Sequence, residues 1–233
     1  ELDTKRKKVY SYTYPLNHFH EWGIEKRTDT DYGRIGSVNP IVTWVDPEGN
    51  GYTCDDIGRV LRFGAEKETL EELDQFVPHP AFQNGNHNVS YDIVSCKDPN
   101  KVIGVVWNAF PHLWMYDMAY GNQGKMIDLG PVHQNVTGHE PNEINTSHVA
   151  GLAFGPDGLL YINGMTDIHP DGSAITHLLR MDIETGKMED LGALYDPDLD
   201  QSVWYVSRAM WISPNDLIGA VVGRTPTGVV HIH

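Results

Sequence analysis

Between Ser147 and Leu194 the chain alternates short apolar runs with turn residues. The runs are Val149–Phe154, Leu159–Ile162, His177–Ile183 and Met188–Leu194. Gly155-Pro156-Asp157-Gly158 separates the first two and Glu184-Thr185-Gly186-Lys187 the last two. Asp-Gly supplies the positive φ that a two-residue hairpin turn requires. With a wider loop in the middle, the pattern predicts four strands in an up-and-down antiparallel sheet. Such a sheet is one blade of a β-propeller, the all-β architecture that repeats four-stranded sheets around a channel.

The rest of the chain carries copies of this unit. Its third strand, Leu178-Leu179-Arg180-Met181, has counterparts at Val60-Leu61-Arg62-Phe63 and Leu113-Trp114-Met115-Tyr116. The end of its fourth strand, Asp190-Leu191-Gly192, recurs as Asp128-Leu129-Gly130 and Glu72-Leu73-Asp74. First strands with their turns read at 42–47, 93–99 and 210–214. A β-sandwich also has short, evenly spaced strands, but it does not repeat whole four-strand units. The expectation is therefore an all-β β-propeller of four-stranded antiparallel blades at about 37–74, 87–131, 147–193 and 204–233, with 1–233 a single propeller domain or a fragment of one.

Glu1-Leu2-Asp3 lines up with the end of a fourth strand and Gly228–His233 with a third strand. Either residues 5–14 return as a missing outer strand and close a ring of four blades, or the chain is a piece of a ring of six to eight. The second is the expectation, with the remaining blades on another chain or segment.

Composition narrows the partners. Of 233 residues, 17 are basic and 32 acidic, a net charge of −15. Phosphate binding is dominated by Lys and Arg, so nucleic acid and anionic membrane are disfavoured. The sequence has no run of eighteen apolar residues, the length that would span a bilayer as a helix. With 23 Gly and 14 Pro, the chain has the residues of strands and tight turns. The most helix-like stretch, Glu66–Glu72, sits where a third-to-fourth strand hairpin belongs. Cys54 and Cys96 read as buried thiols rather than a disulfide.

In a propeller, the loops leading into first strands and those between second and third strands converge on one mouth of the channel. Here the first set is 4–36, 75–86, 131–146 and 195–204, and the second 55–58, 108–111, 164–176 and 223–227. His18, His20, Arg34, His79, His87, His133, His139, His148 and His169 fall on that face. His148 begins an innermost strand and is followed by the small Ala150 and Gly151. The matching positions hold Asn39, His87 to Tyr91, and Ser207-Arg208.

Such a set suits β-elimination of a uronic-acid polysaccharide. An Arg or Asn neutralises the sugar carboxylate, His or Tyr takes the C5 proton, and Tyr or His protonates the leaving oxygen. The catalytic candidates are His148, Arg208, His87 and Tyr91; the substrate-binding candidates are Asn39, Arg34, Tyr205 and His169. Arg208 suits a carboxylate through its planar fork, and a brace to Asp200 or Asp216 is its structural alternative. Tyr32, Phe82, Tyr91, Trp204 and Tyr205 could stack on sugar, while Trp44, Trp107, Trp114 and Trp211 read as packing between blades.

No metal-ligand set is assigned. His18-x-His20 puts two imidazoles on one side of an extended segment, acceptable for Mn or Zn given ligands from elsewhere. Asp196-x-Asp198-x-Asp200 has Gln201 where a calcium loop needs Gly, and reads as a solvated acidic turn. The cofactor stays open, with divalent Ca, Mn or Zn compatible. No P-loop, dinucleotide glycine pattern, nucleophile elbow or HExxH occurs.

The blade signature from Gly151 to Gly192, with its weaker copies, resembles that of bacterial seven-bladed propeller proteins. Among these are polysaccharide lyases acting on ulvan and oligogalacturonate. The resemblance implies the fold and, for function, a secreted or periplasmic lyase acting on an anionic polysaccharide or oligosaccharide. The ulvan-type enzymes use His, Tyr and Arg at the channel mouth, which this sequence has in kind; the metal-binding His and Gln set of the oligogalacturonate type has no residue-by-residue match. The alternative is a non-catalytic carbohydrate- or protein-binding propeller, since a structural signature transfers fold better than activity.

Overall fold

The computed structural model describes residues 1–36, 42–64, 66, 69–78, 89–107, 112–132, 136–137, 148–168, 174–196, 201–202, 206–212, 218–222 and 228–232. For 89–91, 107, 136–137, 148–150, 165–168, 174–175 and from 195 onward the backbone alone is described. Strands and turns account for the described residues, and no α-helix occurs among them. The chain divides into two compact units, Glu1–Ile103 with Trp114–Asp128, and Gly104–Leu113 with Leu129–His233.

The first unit opens with a blade where the sequence pattern predicts a long loop. Strands β1 (Leu2–Asp3), β2 (Lys8–Tyr12), β3 (His18–Gly23) and β4 (Thr28–Arg34) pair in the order β1-β2-β3-β4. The loop expected over 4–36 thus holds three strands of a four-stranded sheet, and Leu2–Asp3 is the first strand of that sheet rather than the tail of a preceding fourth. The physical reason lies in its turns. Lys7, Asn17 and Arg27 take up the left-handed conformation with φ of 57°, 57° and 52°. That conformation is rare for residues with a side chain, so none of the three hairpins carries the Asp-Gly mark. The strand Thr28–Arg34 is also largely exposed and polar, without apolar alternation.

The second sheet, β5 (Thr43–Val45), β6 (Gly51–Cys54), β7 (Arg59–Gly64) and β8 (Thr69–Phe76), has the order β5-β6-β7-β8. The helix-like stretch at 66–72 therefore enters a strand at Thr69. One face of the first sheet packs on this one through Tyr10, Phe19, Ile35, Leu61 and Phe63, with Tyr32 and Val45 against the cluster. Close approach needs Gly51: a Cβ there would lie 2.9 Å from the Tyr10 ring. The Tyr10 hydroxyl donates to the Gly49 carbonyl at 2.9 Å.

The third sheet consists of β9 (Val89–Ser95), β10 (Lys101–Trp107), β11 (His112–Asp117) and β12 (Lys125–Pro131), in the order β12-β11-β10-β9, with its strands divided between the two units. Within the first unit Trp44 lies 5.9 Å from both Trp114 and Tyr116, and Tyr52 also lies 5.9 Å from Tyr116. Trp44 and Trp114 are thus the packing residues the sequence predicts. Polar ties join the same sheets at the edge: Arg62 donates to the Asn122 carbonyl, and the Gln75 amide oxygen accepts from the Met126 N–H.

The second unit holds the blade with the clearest sequence signature. After β13 (Val136–Thr137) come β14 (His148–Phe154), β15 (Leu160–Ile168), β16 (Ala174–Met181) and β17 (Met188–Ala193). Strand β13 adds parallel to β17 as a fifth strand. The two hairpin loops are longer than two residues. Phe154 pairs with Leu160 and Met181 with Met188, so Gly158 (φ 79°) and Gly186 (φ 71°) supply the turn inside five- and six-residue loops. A short ribbon, β18 (Tyr195–Asp196) with β19 (Gln201–Ser202), precedes the sheet β20 (Val206–Ile212), β21 (Ile218–Val222) and β22 (Gly228–Ile232). Strands β14 and β20 are in contact.

Candidate functional site

Two places in the molecule concentrate candidate chemistry. The first is where β14 and β20 begin. His148 is the first residue of β14, and a β-bulge follows at once, between Val149 and Gly151. Arg208 lies in a bulge of β20, between Ser207 and Met210. Bulges redirect the strand and re-aim side chains, and they concentrate beside active sites. Tyr91 lies within β9. Asn39, His87, His169 and Tyr205 fall outside the described residues, as do His79, His133 and His139.

Arg34 closes β4 rather than a loop; its Nε donates to the Gly36 carbonyl at 2.8 Å and it opposes His18 across the strands. Tyr32 belongs to the core instead of a sugar platform, with its ring 4.0 Å from that of Phe63. Cys54 is buried and Cys96 half-buried, with no disulfide between them, and burial pushes the Cys96 thiol up to about 11.

The second place is the polar face of the first blade, opposite the face that packs on the second sheet. His18 and His20 are two apart on β3, so both point to one face of the sheet. Asp29 and Asp31 are likewise two apart on β4, and register sets His20 opposite Asp31. His18 Nδ1 lies 2.8 Å from an Asp31 carboxylate oxygen, and His20 Nδ1 lies 3.1 Å from Asp29. His20 Nε2 is 3.9 Å from the other Asp31 oxygen. The His18 hydrogen bond, with the Gly33 N–H next, holds the Asp31 carboxyl below the usual carboxylate range. Donor atoms of His18, His20 and Asp31 all lie within 4.8 Å of one another. The sequence displays His18-x-His20; it hides the two aspartates until Thr28–Arg34 is recognised as the next strand.

Part of this cluster is ordinary blade architecture. Arg59 with Glu72, and His177 with Asp190 at 2.7 Å, occupy the matching third- and fourth-strand positions. The departure is His20, where three later blades hold the buried apolar residues Leu61, Trp114 and Leu179.

The repeated antiparallel blades place the chain among β-propellers. No protein-family model and no curated protein matches it by sequence. Solved structures match by fold. The extracellular domain of the one-component system BT4673 from B. thetaiotaomicron aligns over 97% of this chain at 13% identity, with a TM-score of 0.63. Hydrazine synthase of Kuenenia stuttgartiensis aligns over 99% at 12% identity and 0.59, and the WD40 repeats of RRP9 over 94% at 11% and 0.54. The chain spans 26%, 64% and 58% of those three chains respectively. At such identities the likeness establishes the propeller fold and not the activity.

Proposed function

We propose that this propeller binds an anionic, uronate-bearing polysaccharide at the channel mouth where β14 and β20 begin, outside the cytoplasm. One observation carries the reading: two neighbouring innermost strands are both bulged near their starts, one beside His148 and the other at Arg208. First strands of a propeller run along the channel, so residues near their starts belong to one mouth. A guanidinium there suits a sugar carboxylate, because its fork donates two parallel hydrogen bonds. The extracellular setting of the BT4673 domain supports an exported location.

A second reading makes the same mouth a lyase. It is favoured by the pairing of a histidine position with an arginine position on adjacent strands. Arg208 would neutralise the carboxylate and acidify the C5 proton, His148 would remove it, and a second proton-bearing group would protonate the leaving oxygen as the double bond forms.

Binding and turnover separate the two. Calorimetry over a panel of uronate and neutral polysaccharides should show binding to the uronates alone. Ultraviolet absorbance of an unsaturated uronate product should appear only if the lyase reading holds. Arg208→Lys keeps the charge and loses the fork, so binding should weaken by about 1–3 kcal/mol with little change in Tm. A variant that melts several degrees lower yet binds sugar as before marks Arg208 as a brace and overturns the site.

A further inference from the structure

We propose that His18, His20 and Asp31 form a binding site for a divalent transition-metal ion of the zinc class, with Asp29 orienting the His20 ring. The site lies on β3 and β4, is independent of the sugar mouth, and does not rest on the sugar reading.

The second and third sheets carry buried apolar residues at the same positions. In the second sheet, the third-strand residues Leu61 and Phe63 pack on the Tyr10 and Phe19 side of the first blade. In the third, Trp114 and Tyr116 pack on Trp44 and Tyr52. That face of a blade is apolar because it meets its neighbour. On the first blade the equivalent face carries His18, His20 and Trp22, with Asp29 and Asp31 beside them. Packing between blades therefore does not account for His20, and an ion pair at this level needs only the His18–Asp31 partnership that the Arg59–Glu72 and His177–Asp190 pairs repeat.

The geometry then suits a metal. Two imidazoles and one carboxylate are a donor set for zinc and its neighbours in the first transition row, whereas calcium and magnesium take oxygen ligands. The pleat fixes His18 and His20 on one face, with ring centroids 6.4 Å apart and planes at 29°. In a tetrahedral zinc site, bond lengths near 2.0–2.2 Å put donor atoms about 3.3 Å from one another. The three donors already lie within 4.8 Å, so side-chain adjustments of about 1.5 Å or less close the set. His20 presents Nε2 towards Asp31 while its Nδ1 lies 3.1 Å from both Asp29 oxygens. A carboxylate on the far ring nitrogen fixes the tautomer and the ring orientation of a metal-binding histidine. The side chains are partly accessible, His18 at 33% and His20 at 19%. Water or a donor from a partner would complete the coordination.

The test uses the tag-free full chain, stripped of metal by chelation and titrated with zinc ion by calorimetry, with cobalt ion as a visible-absorbance reporter. One equivalent of zinc should bind, and cobalt should give tetrahedral absorption bands. His20→Asn and Asp31→Asn should each weaken zinc binding at least tenfold. Asp29→Asn should weaken it by about tenfold through ring orientation. His177→Asn, which removes the equivalent histidine of the later blade, should leave it unchanged. Circular dichroism checks each fold, and the half-exposed Asp29 decides the matter should His20→Asn fail to fold. Absence of stoichiometric zinc binding by the wild type, retention of binding in the well-folded variants, or equal loss in His177→Asn would each overturn the site.

Discussion

At the scale of single residues, the recurrent device is an aspartate whose side chain closes its own turn. Asp3, Asp46, Asp98, Asp117, Asp157 and Asp182 each accept a hydrogen bond from the backbone N–H two residues on. Much of the acidic excess is therefore turn chemistry, which composition alone reads only as charge. The Asp182 carboxyl is held below its usual value by the N–H groups of Glu184 and then Thr185, and Asp98 chiefly by that of Asn100. Asp55 accepts two similar bonds, yet burial outweighs them and pushes its carboxyl up. The signs differ accordingly. A carboxylate held low in the folded state contributes stability that is present above its unfolded value, near 3.9, and is lost as pH falls through the folded value. Asp182→Asn should therefore melt below the wild type at neutral pH, and the gap should shrink as pH falls from about 5 to about 3. Thermal melts across that range measure it; a gap that stays constant would mean the turn depends on shape and not on charge.

At the scale of elements, legibility followed the turns. Blades marked by Asp-Gly or Thr-Gly hairpins and by the Asp-Leu-Gly strand end were readable, because those residues answer to local backbone demands. The first blade was not. Its hairpins turn on Lys7, Asn17 and Arg27, and its strand β4 shows water four exposed residues in a row. Losing that blade also hid half of the His–Asp cluster, since Asp29 and Asp31 matter only once β4 lies beside β3. Spacing placed His148 and Arg208 at strand starts, but the bulges next to them are properties of pairing that one strand cannot reveal.

Packing between elements gives a sharper prediction. Gly51 lets Tyr10 lie against β6, and a Cβ there would sit 2.9 Å from two ring atoms. Gly51→Ala should cost about 1–3 kcal/mol as overpacking. Gly158→Ala meets nothing within 4 Å and is strained only through its φ of 79°, so about 1 kcal/mol is expected. A double-mutant cycle distinguishes the two, because only neighbours couple. Tyr10→Ala should absorb most of the Gly51→Ala penalty and none of that of Gly158→Ala. Strict additivity for Gly51 and Tyr10 would show that the sheets adjust without strain.

At the scale of the whole molecule, a chain of net charge −15 is an unusual receptor for a polyanion. Two electrostatic effects act at different ranges. Repulsion between the acidic chain and a uronate polysaccharide extends over the Debye length, about 30 Å at 0.01 M salt and about 8 Å at physiological strength. A charge-assisted hydrogen bond from an arginine acts at contact and is screened much less once water is excluded. Several of the described basic residues are moreover drawn into cross-strand pairs, Arg62 with Glu71 and Arg180 with Glu189 among them. Such exposed pairs contribute about 0–1 kcal/mol each to stability, but they remove free cations that would otherwise steer an anion. Steering by complementary charge makes association fall with salt; here the long-range term has the opposite sign. The association rate constant for an acidic polysaccharide should therefore rise as salt goes from about 10 to about 150 mM, with the dissociation rate changing less. Stopped-flow or surface-based kinetics across that range measure both. A rate that falls steeply with salt would instead require a concentrated basic surface, and the ligand would then have to be assigned to that surface and not to a mouth served by Arg208.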